Sequence, residues 1–289
     1  MHKPWKEAGL GLLNLVAIVL VIAVAQPVLR KYLPNAVGGT LLALLVLTTY
    51  IAASKWIERR EPTELSARHL LPEAAAGFAA GLVLFSSVMA ILWAAGVYHP
   101  DGRGTASGLA AGFVAALVAG VIEETMFRAL LFRLSSKILG TWGALLLTSS
   151  LFGAAHAFNP GATFSSSLAI ALEAGVLLGA AYAATQRLWV PIGLHIGWNF
   201  TEGSVFGMSV SGGTTNAGLL RGSLNGPRML TGGQFGPEAS IVAVIVCLAA
   251  ALYFIRRTTT LHRAEPPAWS KARPAKLATE VAHEPQSSS

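Results

Sequence analysis

The stretch AGVIEETMFRALLF, residues 119–132, decides how the chain is read, because it sets Glu123, Glu124 and Arg128 inside a run otherwise as apolar as a membrane-spanning helix. The surrounding 289 residues are 53% hydrophobic and 12% charged, with a mean hydropathy of +0.57. These values lie outside the range of soluble globular domains. Apolar runs near the roughly 20 residues that cross a bilayer as a helix recur at about 8–29, 37–56, 74–97, 107–134, 142–158, 167–185, 189–207 and 239–255. They predict an all-α polytopic membrane protein with about eight transmembrane helices, the fourth overlong and the fifth short.

Cation placement supplies an independent check, since Lys and Arg concentrate in cytoplasmic loops. With the N-terminus inside, 16 of the 21 cations fall on the cytoplasmic side, and an even number of helices keeps the basic C-terminal tail there too. Both termini are therefore expected to be cytoplasmic, in a multi-pass protein of the cell membrane. The apolar run after the basic start exceeds that of a cleavable signal and is read as a retained first helix. The net charge of +7 follows this loop topology and suits anionic lipid better than nucleic acid. The single Cys247 permits no intrachain disulfide.

Three regions are expected: a polytopic membrane domain over 1–257 with its core at about 107–205, a Gly-rich loop at 203–238, and a disordered cytosolic tail at 258–289. The loop holds ten glycines with Pro227 and Pro237, a composition suited to a covering or re-entrant segment. The connector KWIERREPTELSARHLLPEA, 55–74, reads as cytoplasmic, either with a short interfacial helix starting near Thr63 or, the favoured reading, as a solvated loop.

Ionisable groups that stay inside a membrane face a cavity, pair with one another and mark function. Helical spacing at 100° per residue puts Glu124 and Arg128 one turn apart, suited to an i,i+4 ion pair. Glu123 points about 140° away from Arg128 and is left without a partner on its own helix, which makes it the candidate general base. Phe152 and His156 share one face, as do His195 and Asn199, whose side chains suit hydrogen bonding to an oxyanion. Glu173 reads as structural before catalytic. Counted from the predicted cytoplasmic ends at about 1.5 Å per residue, Glu123, His156 and His195 lie at roughly 16, 24 and 10 Å depth. Their convergence then requires tilted or broken helices around a cavity nearer the cytosolic face.

The ordered set EETMFR, FGAAH and HIGWN resembles the CPBP family: type II CAAX prenyl endopeptidases and bacteriocin-processing or immunity proteins, also called the Abi family. The later stretches LWVPIGLHIGWNF and GPRMLTGGQFGPEAS look like its bacterial branch, and hence a bacterial inner membrane. The resemblance implies a conical intramembrane cavity open toward the cytosolic side. In it Glu123, helped by His156, activates a water that attacks a peptide carbonyl, while His195 and Asn199 hold the oxyanion and Glu124 with Arg128 supports the base. The partners implied are the bilayer and a membrane-anchored or lipidated protein or peptide. No cofactor is expected; zinc on Glu123, His156 and His195 is the alternative, disfavoured by the lack of an H-E-x-x-H pair. Serine chemistry lacks a G-x-S-x-G motif, and Asp101 is the sole aspartate, so a paired-aspartate site is excluded. Two other classes stay open on the residues alone: a non-enzymatic immunity or scaffold protein, and a proton-coupled transporter.

Overall fold

Long runs of Leu, Ala, Val and Ile leave the backbone no water to bond inside a membrane, so it pairs with itself as helix. The computed structural model describes residues 4–213 and 218–271. Its helices are α1 (Pro4–Tyr32), α2 (Asn35–Trp56), α3 (Leu70–Ala94), α4 (Ala106–Glu124), α5 (Arg133–His156), α6 (Phe164–Thr185), α7 (Trp189–Phe200) and α8 (Ile241–Thr260). Six continuous runs among the described residues have the length and apolarity of membrane spans; one of them, Ala106–His156, is long enough for two. With the shorter α7 packed among them, the chain is an all-α polytopic membrane protein.

The predicted end of the fourth helix near residue 134 is wrong. No helix breaker occurs there, and α4 continues through Thr125–Phe132 into α5, turning only at Gly140, where φ is 72° and ψ 173°. Counted from this turn, Glu123 and His156 both lie about 25 Å along their rods, which removes most of the expected mismatch in depth. His195 is also deeper than its count suggests, because α7 begins in the interior at the buried Leu188 and Trp189.

Gly77 and Gly81 on α3 face Gly193 and Gly197 on α7. A Cβ on Gly193 would sit 2.2 Å from the Ala74 carbonyl oxygen, and one on Gly197 2.2 Å from that of Phe78. Two small-xxx-small stripes thus bring the helices into backbone contact, and His195 rides on the helix so fixed.

Three π-helical segments interrupt the rods: Thr125–Phe132, Ala171–Gly175 within α6, and Thr201–Val205 after α7. Each closes with an i→i+5 bond, from Arg133, Val176 and Phe206 to the carbonyls of Arg128, Ala171 and Thr201. Each adjoins or contains a buried glutamate: Glu124, Glu173 and Glu202. Such insertions are frequent at functional sites.

Two connecting segments differ from expectation. The 55–74 connector is no solvated loop: Glu64 and Leu65 are buried, Arg60 pairs with Glu64 at 2.8 Å, and Arg133 pairs with Glu58 at 2.8 Å. The tail is ordered at its start. Helix α8 runs to Thr260, and the Thr141 amide, freed by the break at Gly140, donates to the Glu265 carbonyl at 2.9 Å, while the Glu265 amide returns a bond to Thr141 Oγ1 at 2.8 Å. A new helix start needs partners for its amides, and the tail supplies one. Residues 272–289 of the predicted tail lie outside the described residues.

The Gly-rich stretch folds back on the bundle. Strand β2 (Leu220–Leu224) pairs antiparallel with β1 (Tyr98–Arg103), joining this stretch to the α3–α4 connection. The Gly212 amide donates to the Phe235 carbonyl at 2.7 Å, and Phe235 packs with Phe127, Phe152 and Ile170.

Candidate active site

Two adjacent glutamates at the end of α4 point to different partners. Glu124 is fully buried, and its Oε1 accepts from Arg128 Nη1 at 2.9 Å and from His195 Nδ1 at 3.0 Å. Arg128, 1% exposed, stacks over the Phe152 ring with its guanidinium carbon 4.6 Å from the centroid. Its Nη2 donates to the carbonyls of Ala174 and Gly175 at 3.1 and 3.3 Å. Those carbonyls belong to the second π segment, where the ordinary ladder is interrupted. One guanidinium therefore joins α4, α5 and α6 around a single carboxylate.

Glu123 has no direct hydrogen bond at Oε2, although that atom is buried. Around it stand His156 Nε2 at 3.9 Å and His195 Nε2 at 4.0 Å. Each ring is oriented from behind. His156 Nδ1 bonds the Phe152 carbonyl at 2.8 Å, one turn back on α5, and His195 Nδ1 bonds Glu124. Both Nε2 atoms are thereby turned toward the same carboxylate oxygen. A separation of 3.9 Å is too long for a direct bond, but a water about 2.8 Å from each atom spans it.

Beside this trio lies a partly open cavity of about 20 Å³, lined by His156, His195 and Asn199. Glu173, Ser211 and Glu238 also line it. It lies under the 206–240 segment, on the side away from the tail, not toward the termini-bearing face as the depth count suggested. The six predicted site residues Glu123, Glu124, Arg128, His156, His195 and Asn199 thus converge from α4, the first π segment, α5 and α7. Glu173 meets the same cavity and accepts from Cys247 Sγ at 3.3 Å.

Two buried acids escaped sequence reasoning. Glu202 follows His195 by seven residues and so falls on the same helical face, a spacing that would have found it. Glu238 had no such signal, since the fold-back of the Gly-rich stretch alone brings it to the cavity. As for a metal, tetrahedral zinc needs nitrogen and oxygen ligands at about 2.0–2.2 Å, and no described group of three His, Cys, Asp or Glu side chains is placed to hold one.

Residues 105–201 match the family model for type II CAAX prenyl endopeptidase, Rce1-like. Comparisons with curated proteins and with solved structures gave no match. The matched segment runs from the N-cap of α4 into the third π segment and carries every residue of the Glu123 cluster. Over those residues, about a third of its length, the chain is similar to the Rce1-like type II CAAX prenyl endopeptidases.

Proposed function

We propose that this protein is an intramembrane endopeptidase in which Glu123 activates a water against a peptide carbonyl of a membrane-anchored or lipidated protein or peptide. The observation that carries the reading is Glu123 Oε2, buried and unbonded, with two imidazole Nε2 atoms 3.9 and 4.0 Å away. With His156 Nδ1–H given to the Phe152 carbonyl, its Nε2 is an acceptor. A water between it and Glu123 gives one proton to each acceptor's lone pair, leaving an oxygen lone pair free to attack. Glu123 takes the proton as the C–O bond forms.

The oxyanion that develops on the carbonyl meets His195 and Asn199. With Nδ1–H committed to Glu124, His195 donates through Nε2 only when it carries both ring protons, a charge that the two flanking glutamates match. Asn199, one turn further along α7, adds a neutral donor. Glu124 and Arg128 orient and do not react. The mechanism requires no metal; if zinc took part, Glu123, His156 and His195 would be its ligands. The cell-membrane setting is taken as a bacterial inner membrane from the resemblance of LWVPIGLHIGWNF and GPRMLTGGQFGPEAS to the bacterial branch, with both termini in the cytoplasm from the cation distribution.

The test compares purified wild-type and Glu123→Gln protein in nanodiscs on a quenched library of prenylated and unprenylated peptides, with and without a chelator. Cleavage abolished by the substitution and retained under chelation is the expected result. Wild-type loss under chelation overturns the metal-free mechanism, and undiminished cleavage by Glu123→Gln overturns the assignment of the base.

A further inference from the structure

The proposed mechanism leaves three buried acids unused. Glu173, Glu202 and Glu238 are each no more than 2% exposed and come from α6, the third π segment and the turn before α8. Glu202 and Glu238 lie against each other, the Glu238 amide donating to Glu202 Oε1 at 3.3 Å. Glu238 Oε1 also accepts the Ser211 amide at 2.6 Å. No Lys or Arg lines the cavity that Glu173 and Glu238 share. Neighbouring buried carboxyls with no Lys or Arg beside them, and with any charge on His195 already matched by Glu123 and Glu124, cannot all ionise, so such a group holds protons. Burial pushes the Glu238 carboxyl above its ordinary range.

A second observation points to what the cavity takes. Trp198, 5% exposed, lines it and has an indole N–H without a hydrogen-bond partner. A volume of about 20 Å³ has room for a single water, which needs upwards of about 10–15 Å³ and two to four polar partners. Glu238, His195 and Asn199 all line the cavity, so a water there stands between the acid pair and the place where the proposed mechanism puts the carbonyl.

We propose that Glu238, backed by Glu202, supplies through this water the proton that the leaving amine takes up. The inference rests on the endopeptidase reading. As the C–N bond breaks, its electron pair stays on nitrogen and the water passes a proton to it. The O–H bond of Glu238 breaks to replace that proton. The resulting carboxylate shares the proton of Glu202. Glu123, which took a proton from the attacking water, returns one to the pair by way of His156, which stands 3.9 Å away and lines the cavity, and no net proton is gained or lost by the protein.

A leaving group that needs no proton separates this role from a structural one. Wild type, Glu238→Gln and Glu123→Gln are compared on a peptide amide and on the p-nitrophenyl ester of the same acyl peptide. Glu238→Gln is expected to lower kcat on the amide by about a hundredfold at unchanged KM, and to stay within about twofold of wild type on the ester. Glu123→Gln loses both activities. Equal loss on both substrates, or none on the amide, overturns the proton-donor role. Glu123→Gln activity matching wild type overturns the endopeptidase mechanism instead. Should Glu238→Gln fail to fold, Glu202→Gln carries the same comparison, with a smaller loss confined to the amide.

Discussion

Substituting Gly197 by Ala is the most direct perturbation of the scaffold behind the site. The new Cβ would stand 2.2 Å from the Phe78 carbonyl oxygen and 2.9 Å from its carbon. Ordinary contact begins at 3.4 Å, so α3 and α7 must part by about 1 Å at a layer between His195 and Asn199. The obstacle is backbone, and no rotamer change relieves it. Overpacking of this kind costs about 1–3 kcal/mol, and a displacement of about 1 Å at a reacting group lowers turnover by up to about a hundredfold. The assay pairs unfolding in bilayer nanodiscs with peptide cleavage, using Gly9→Ala as control because a Cβ there meets nothing within 4 Å. Gly197→Ala matching the control in both stability and kcat would refute the claim that backbone contact between α3 and α7 sets the position of His195.

Replacing Arg128 by Met removes the permanent cation from Glu124 and two hydrogen bonds to the second π segment; breaking a buried pair in this way costs about 3–5 kcal/mol, measured as loss of unfolding free energy, with Glu124→Gln in the Met background expected to recover part of it. Gly140→Ala introduces a side chain at φ 72° with its Cβ 2.7 Å from the Glu265 carbonyl oxygen, so residues 261–267 should detach and become open to limited proteolysis while α8 stays intact. Tyr98, which donates to the Phe206 carbonyl at 3.1 Å, has its hydroxyl pushed up to about 12 by burial and by Asp101. A raised phenol favours the folded state while neutral, so its contribution is complete below pH 10 and lost as pH rises through about 12; ultraviolet titration of wild type against Tyr98→Phe reads this directly.

Much of the fold was legible because apolar runs and cation placement answer to the bilayer. EETMFR, FGAAH and HIGWN stood out because charge and amide are rare in such runs, and spacing alone separated Glu123 from Glu124. Helix ends were less legible. Nothing between Phe132 and Leu139 announces that α4 continues, and the break depends on one glycine whose conformation is met by a distant tail. The π segments have no compositional mark; their loosened carbonyls are held by side chains from elsewhere, as Arg128 holds Ala174 and Gly175 and as Tyr50 and Arg133 hold Ala129 at 3.3 and 2.8 Å. The connector charges were read as solvated because, although Arg60 and Glu64 pair within it, Arg133 on Glu58 and Tyr50 on Glu64 come from outside it. Glu238 and Ser211 reach the cavity through the fold of a glycine-rich stretch, where periodicity carries no information.

That stretch has a mechanical consequence. It roofs the cavity and also furnishes part of its wall, through Ser211 and Glu238, while the ribbon of β1 and β2 ties it to the far side of the bundle. Cover and wall are one piece of chain, so a substitution that shifts this stretch alters the acid lining of the cavity together with its roof.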